Sequence, residues 1–374
     1  RGCALISDMA QVSWENVLVL QTSFLGDTVL TLPLITEIRR RFPVKRLSVI
    51  CLPMARELLQ DHSAIDEIIV DDKKGMDRGA AGLRRKASTL RAKAFTIALC
   101  PHKSLRSALM LSLARIPRRV GFRQSRGWFL FHDRVDRDPA RHDVERNLSV
   151  LEAFGVKVED CARELELPIH PGTQREVDGK LHALGIDDQR PIVGINAGSV
   201  WPTKRWWPKG FADLIQLLKG RIDCQILLFG GKDDRAVVNE VAARCDSSVV
   251  NLVGQISLRE LPAAIDRCHV FVTNDSGPMH IAVARKVPTV ALFCATTPEL
   301  GFYPYTSNAI VLERRLDCRP CASHGGRRCP LGTEACIREI EPESVFKAVE
   351  KLLQPGQLRD QAAPKTCRPE YVAA

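Results

Sequence analysis

The sequence predicts an α/β protein made of two parallel-sheet halves, and three observations lead there. Short apolar stretches alternate with amphipathic helical patterns over 16–154, and the alternation restarts over 192–353, as when helices cover both faces of a parallel sheet. A transition over 155–189, carrying Pro168, Pro171 and Gly172, separates the two runs. The turns after the strands hold the Gly, Ser, Asp and Lys residues, and ligands of open α/β sheets sit at those turns.

In chain order, 17–21 (VLVLQ) is a strand, 22–27 a turn, and 28–42 a helix with Val29, Leu30, Leu32, Leu34, Ile35 and Ile38 on its apolar side. Strands follow at 47–51 and 67–70, with a short helix at 54–59 between them. Residues 79–93 form a basic helix, 95–99 a strand, 104–114 a helix, 119–122 a strand and 142–154 a strong helix. After a short helix near 176–184, strands are expected at 192–196, 225–229, 249–252, 269–273 and 289–293, with one more at 310–313. The intervening helices are 208–218, 234–245, 258–265 and 278–285, and 342–353 is a final amphipathic helix. The division is a loose leader over 1–15, a first domain over 16–178, a second over 179–340 with a Cys-rich segment at 314–338, a closing helix over 341–354, and a polar, poorly ordered tail over 355–374.

Hydrophobic residues make up 45% and charged residues 26% of the 374, as in a globular protein in water. No apolar run approaches the roughly 18 residues of a membrane span, and residues 1–15 lack the apolar core of a secretory signal. The chain starts at Arg1, so its true start can lie upstream. The net charge of +10, with clusters at 39–46, 84–93, 106–126 and 314–328, favours phosphorylated sugars, anionic lipid surfaces or nucleic acid; a solvated helix face explains each cluster equally simply. Basic residues are spread over both halves, aromatic content is 6% and no RNA-binding motif is present, so nucleic acid is not expected. The thirteen cysteines are mostly scattered in apolar strands, which points to a reducing compartment and buried thiols.

Three stretches carry chemistry. The first, 270–285 (VFVTNDSGPMHIAVAR), is a strand, a turn and a helix opening with Pro278. Pro is at home there because its missing N–H had no partner to lose. Asp275 and Ser276 are the candidate caps and Gly277 admits a close approach, so the junction suits an anion, here a diphosphate. An ordinary capped helix is the alternative. The second, 196–207 (NAGSVWPTKRWW), offers Gly198 and Ser199 as donors and Lys204 as a point charge; Trp206 and Trp207 are read as core. The third is Gly26-Asp27, where Asp27 is either a general base or the cap of the following helix.

TSFLGDTVLTLPLI, NAGSVWPTKRWWPKGFADL and TNDSGPMHIAVA with its trailing ATTPE resemble glycosyltransferase family 9 over about 16–353, most closely its lipopolysaccharide heptosyltransferase II branch, to which PTKRW and CRPC…CPLGTEAC also point. The resemblance implies a GT-B fold: two Rossmann-like domains with parallel sheets facing across a cleft, acceptor on the first, donor on the second, and the last helix crossing back onto the first. It implies inverting transfer of heptose from ADP-heptose to the lipopolysaccharide inner core, the second heptose in particular. Asp27 is then the base, Asp275, Ser276 and Gly277 hold the donor, Ser199 and Lys204 reach its phosphates, and Ile256 lines the adenine. His280 matches the family's motif histidine. Lys232 stands where some relatives place a ribose-binding glutamate, with Asp233 as a substitute.

The residue chemistry agrees. Inversion needs one base, and a helix N-terminus with a lysine stabilises a departing diphosphate without a metal. No cofactor is expected for catalysis. Lys103, Arg106, Arg119, Arg123, His142 and Arg146 are candidates for a lipid-anchored, acidic core oligosaccharide acceptor, with surface solvation or local ion pairing as the alternative. Such an acceptor places a cytoplasmic monomer at the cytoplasmic face of the inner membrane, and closure about a hinge near 170–188 is expected. Cys318, Cys321, Cys329 and Cys336, spaced C-x2-C-x7-C-x6-C around His324, read as unbound thiols before structural zinc or a disulfide. A different core heptose, a non-catalytic nucleotide-sugar binder and a nucleic-acid binder are the competing readings.

Overall fold

The computed structural model describes residues 13–245, 249–354 and 368–373. They divide into two units, Arg1–Pro168 and Ile169–Ala374. The helix Pro171–Ala183 therefore belongs to the second unit.

The first unit is built on six parallel strands, β1 (Asn16–Leu20), β2 (Arg46–Cys51), β3 (Glu67–Val70), β4 (Ile97–Cys100), β5 (Arg118–Phe122) and β6 (Asp133–Val135), in the order β3-β2-β1-β4-β5-β6. Val17–Leu20 are fully buried because a parallel strand has helices over both faces. The order reverses at β1 and β4, and ligands bind beyond the carboxyl ends of strands at such a switch. β6 is unforeseen: three residues, two of them charged, carry no apolar signal.

The single helix expected over 28–42 is two, Leu25–Val29 and Leu32–Arg41. Pro33 is the physical reason, since it has no N–H to give the carbonyl of Val29. The expected 142–154 helix is α-helical only over Asp143–Leu148 and continues as a 3-10 turn over Ser149–Phe154.

The second unit has seven parallel strands, β7 (Ile192–Asn196), β8 (Gln225–Phe229), β9 (Val249–Asn251), β10 (Val270–Asn274), β11 (Thr289–Phe293), β12 (Ala309–Glu313) and β13 (Glu370–Ala373), ordered β13-β12-β11-β10-β7-β8-β9. Its switch falls between β7 and β10. Residues 370–373, assigned to a poorly ordered tail, instead extend the sheet: Ile310 pairs with Glu370 and Leu312 with Val372. The rest of that tail up to 367, and 1–12 of the leader, lie outside the described residues.

The closing helix is Pro342–Leu353. Val345, Phe346, Val349 and Leu352 line one face and pack into one core with Trp206, Phe211 and the β10–β12 strands. Its apolar stripe is thus part of the second unit's core.

Candidate active site

In the first unit the chain leaves β1 into the turn that precedes Leu25–Val29. Asp27 is the third residue of that helix, and its Oδ2 accepts from the Phe24 N–H at 3.0 Å. The carboxylate thus closes its own helix start from inside the first turn. Beneath it lies a buried network: Thr31 Oγ1 donates to Asp27 O at 2.8 Å, Gln21 Nε2 donates to Thr31 Oγ1 at 2.9 Å, and Asn147 Nδ2 donates to Leu30 O at 3.1 Å. Gln21, Thr31 and Asn147 fix the backbone that carries Asp27, and only the long-range contact of Asn147 had no local signal.

Lys73 lies after β3 and donates to Thr22 O at 2.6 Å, bracing the same turn. Desolvation holds its ammonium below the ordinary range; Asp71 and, more weakly, Asp27 oppose this. His102 follows β4, the other side of the switch, with Nε2 3.0 Å from Ser107 Oγ. Burial and then Lys73 push its imidazole down to about 4, so it is neutral near pH 7.

The acceptor candidates separate. Arg106 is held by buried Asp71 at 3.0 Å and by the carbonyl of Asp77 at 2.8 Å. Arg119 donates to Leu130 O and Ile116 O. Arg146 is 3% exposed and donates to Asp138 O and Pro139 O. His142, 1% exposed, caps a helix by accepting from the Val144 N–H. Arg146 and His142 both lie inside the first unit, satisfying backbone groups that burial would otherwise orphan. Lys103 and Arg123 are exposed, the latter 3.6 Å from Asp136. Partial desolvation and then Arg137 and Arg146 hold the Lys103 ammonium below its usual value, so it stands among like charges.

In the second unit the loops after β7 and β10 flank the switch. Two asparagines bind them together. Asn274 donates to Ala197 O at 3.0 Å and to Gly198 O at 3.2 Å, while its Oδ1 accepts from the Trp206 N–H at 2.8 Å. Asn196 donates to Thr273 Oγ1 and to Ser276 Oγ, both at 3.1 Å. Ser276 is the residue before the Gly277–Ala284 helix, but its hydroxyl is turned to Asn196 and no side chain caps that helix. The expected Ser276 cap is therefore corrected: no side-chain hydrogen bond closes the first turn of the helix.

Lys204 Nζ pairs with Asp275 Oδ2 at 2.6 Å, and Thr296 Oγ1 donates to the same oxygen at 2.6 Å. Asp275 thereby orients Lys204. Arg205 donates to Ser199 O at 2.8 Å and pairs with Asp234 at 3.2 Å. Gly198 is where the backbone needs glycine: a Cβ there would fall 2.3 Å from the Asp234 carboxylate. Ser199 is buried, and Ile256 is half-buried in the loop after β9. Lys232 and Asp233 are exposed in the turn after β8. His280 is buried, and burial foremost holds its imidazole down to about 4; its Nδ1 has no partner. Trp206 is fully buried and donates to Ile340 O at 3.2 Å, a core residue as expected.

The sequence reading missed Asn196, Asn274, Thr296, Arg205 and Asp234. Both asparagines end strands at the switch, a position that would have marked them. A surface depression lined by Leu184, Arg190, Lys219 and Asp223 lies at the amino ends of β7 and β8, away from these loops. Among the described residues no group of three or more His, Cys, Asp or Glu side chains is placed to hold a metal ion.

The two units are thus Rossmann-type, one with an anion-suited switch point and one with a carboxylate just beyond its own. The family model for glycosyltransferase family 9 (heptosyltransferase) matches residues 83–330, and the chain belongs to that family. It is similar to lipopolysaccharide heptosyltransferase 2 of Escherichia coli K12, 30% identical over 90% of this chain and 98% of that protein. A family 9 glycosyltransferase structure from Veillonella parvula is 28% identical with a TM-score of 0.83, covering 92% of this chain and 98% of its own. The structure of E. coli ADP-heptose lps heptosyltransferase II is 25% identical with a TM-score of 0.74, covering 90% and 98%.

Proposed function

We propose that this enzyme transfers a heptose from ADP-heptose to the inner core of lipopolysaccharide, as the second core heptose, with inversion at the anomeric carbon. The observation that carries the donor assignment is the switch point of the second unit. There an uncapped helix start at Gly277 lies beside the Lys204–Asp275 pair, with the asparagines holding both loops in place. This is a fixed electrostatic environment for a diphosphate. Relatives named for lipopolysaccharide and for ADP-heptose supply the sugar and the acceptor.

In the reaction an acceptor hydroxyl attacks the anomeric carbon as the bond to the diphosphate breaks. Its proton passes to the Asp27 carboxylate, and the charge that grows on departing ADP is met by Lys204 and the N–H groups at Gly277. Asp275 and Thr296 keep the Lys204 ammonium aimed. Ser199 and Ser276 complete the phosphate surroundings, Gly198 makes room for the Asp234–Arg205 pair, Ile256 lies against the adenine, and neutral His280 braces the helix start. Lys103 and Arg123 remain as cations for the acidic acceptor. No metal or other cofactor takes part. The enzyme acts as a monomer on a lipid-anchored acceptor at the cytoplasmic face of the inner membrane, where basic residues add attraction to anionic lipid.

The test is transfer from ADP-heptose to defined core acceptors of increasing length, with the product anomer determined. Transfer to the acceptor bearing one heptose, with inversion, is expected. Transfer only to longer acceptors would assign another core heptose, and ADP binding with no transfer would leave a nucleotide-sugar binder.

A further inference from the structure

The Cys-rich segment does not hang free of the donor loops. Arg319, whose side chain is 2% exposed, donates to Phe293 O at 2.9 Å and Thr296 O at 2.6 Å, and pairs with Glu313 at 3.0 Å. Cys321 N donates to Ala295 O at 3.0 Å. Further along, Gly326 N donates to Thr203 Oγ1 at 2.7 Å, and Thr203 N donates to Gly326 O at 3.2 Å. Thr203 O in turn accepts from Ala295 N at 3.3 Å. Gly325 has φ +78, and a Cβ on it would stand 2.8 Å from Lys204 Cγ and 3.1 Å from Cδ. The segment thus seals one flank of the Lys204 stem while Asp275 and Thr296 hold its tip.

We propose that Gly325 and Gly326 are positioning residues for the donor diphosphate: they dock the Cys-rich segment on Thr203 and set where the Lys204 ammonium stands. The inference rests on the donor-site reading above. A lysine stem has several rotatable bonds, and ordering it costs entropy on binding. A stem walled by Gly325 and tied at its tip has already lost that freedom, which is how preorganisation raises affinity. Glycine is needed at 325 for two reasons, the left-handed backbone and the space the stem occupies.

The test uses the full chain and calorimetric titration with ADP and with AMP, which lacks the second phosphate. Gly325→Ala pushes a methyl into the Lys204 stem. Gly332→Ala is the control: it has φ +70 in the same segment, and a Cβ there meets nothing within 4 Å. Gly325→Ala should weaken ADP about tenfold while AMP changes less than about twofold; Gly332→Ala should leave both within about twofold. Should Gly325→Ala not fold, Thr203→Val removes the two hydrogen bonds that the Thr203 hydroxyl makes with Gly326, leaves the backbone one from Thr203 N, and should give the same selective loss. Equal weakening of ADP and AMP, or unchanged ADP binding by a folded variant, overturns the proposal. If the unaltered protein binds no ADP, the donor-site reading fails first, and that result is distinct from either.

Discussion

At the residue scale the enzyme's chemistry is divided between carboxylates with different tasks. Asp27, the proposed base, accepts from the Phe24 N–H, whereas Asp275 is paired with Lys204 and accepts from the Thr296 hydroxyl. Asp27→Asn keeps the size and the contact to the Phe24 N–H through its amide oxygen. It should abolish turnover while ADP affinity stays within about twofold; near-normal kcat would sink the base assignment. Lys204→Ala should weaken ADP about tenfold or more, given ~1.5–3 kcal/mol for a hydrogen bond to a charged group; calorimetry reads it directly. His280 gives a pH prediction. Its folded value of about 4 lies below the ordinary 6.5. Between these values the unfolded chain binds more protons, so stability falls as pH drops through that window and is unaffected above it. The loss at its lower end is on the order of 3 kcal/mol. Urea titrations between pH 7 and 4 should show that slope reduced in a His280→Gln variant; an unchanged slope would show that His280 does not cause it.

At the element scale the alternation of strands and helices was legible because full burial of a parallel strand leaves a continuous apolar run, as in Ile226–Phe229. What stayed hidden had little apolar content or lay far away in sequence. β6 and β13 are three and four residues long. The break at Pro33 was readable and was passed over. At the site, Lys204, Asp275 and the glycines announced themselves through turn chemistry, but their supports come from remote strands, and no local pattern encodes a contact such as Asn196 to Ser276. The backbone partners of Arg146 and His142 were likewise illegible, because a polar side chain in a sequence does not show which carbonyl or N–H it meets. Gly194, in the middle of β7, tests how tightly the second sheet is packed. A Cβ there would lie 2.6 Å from both Cys268 Sγ and the Phe271 ring. Gly194→Ala should cost about 1–3 kcal/mol from overpacking, measured as a lowered denaturation midpoint.

At the scale of the whole molecule the two units have separate sheets and separate cores, so a single unfolding transition is not assured. ADP should protect the second unit selectively. At about 100 times its Kd a ligand adds ~2.7 kcal/mol to the unit that binds it. Hydrogen exchange should slow at 197–206 and 275–280, and not at the Asp27 turn; protection confined to the first unit would reverse the donor assignment. No helix among the described residues is long and apolar enough to cross a membrane.

The pairing of the donor-loop cations has a practical side. Lys204 is matched by Asp275 and Arg205 by Asp234, so these two couples carry no formal surplus charge. On the proposed donor assignment, ADP meets Lys204 and the Gly277 N–H groups at short range, where salt screens contacts less than between distant exposed charges. Lys103, among like-charged neighbours, is in the opposite position. Raising salt in an assay should therefore strip the acidic acceptor while the nucleotide stays bound, and an enzymologist can use sodium chloride alone to dissect the order in which the two substrates load.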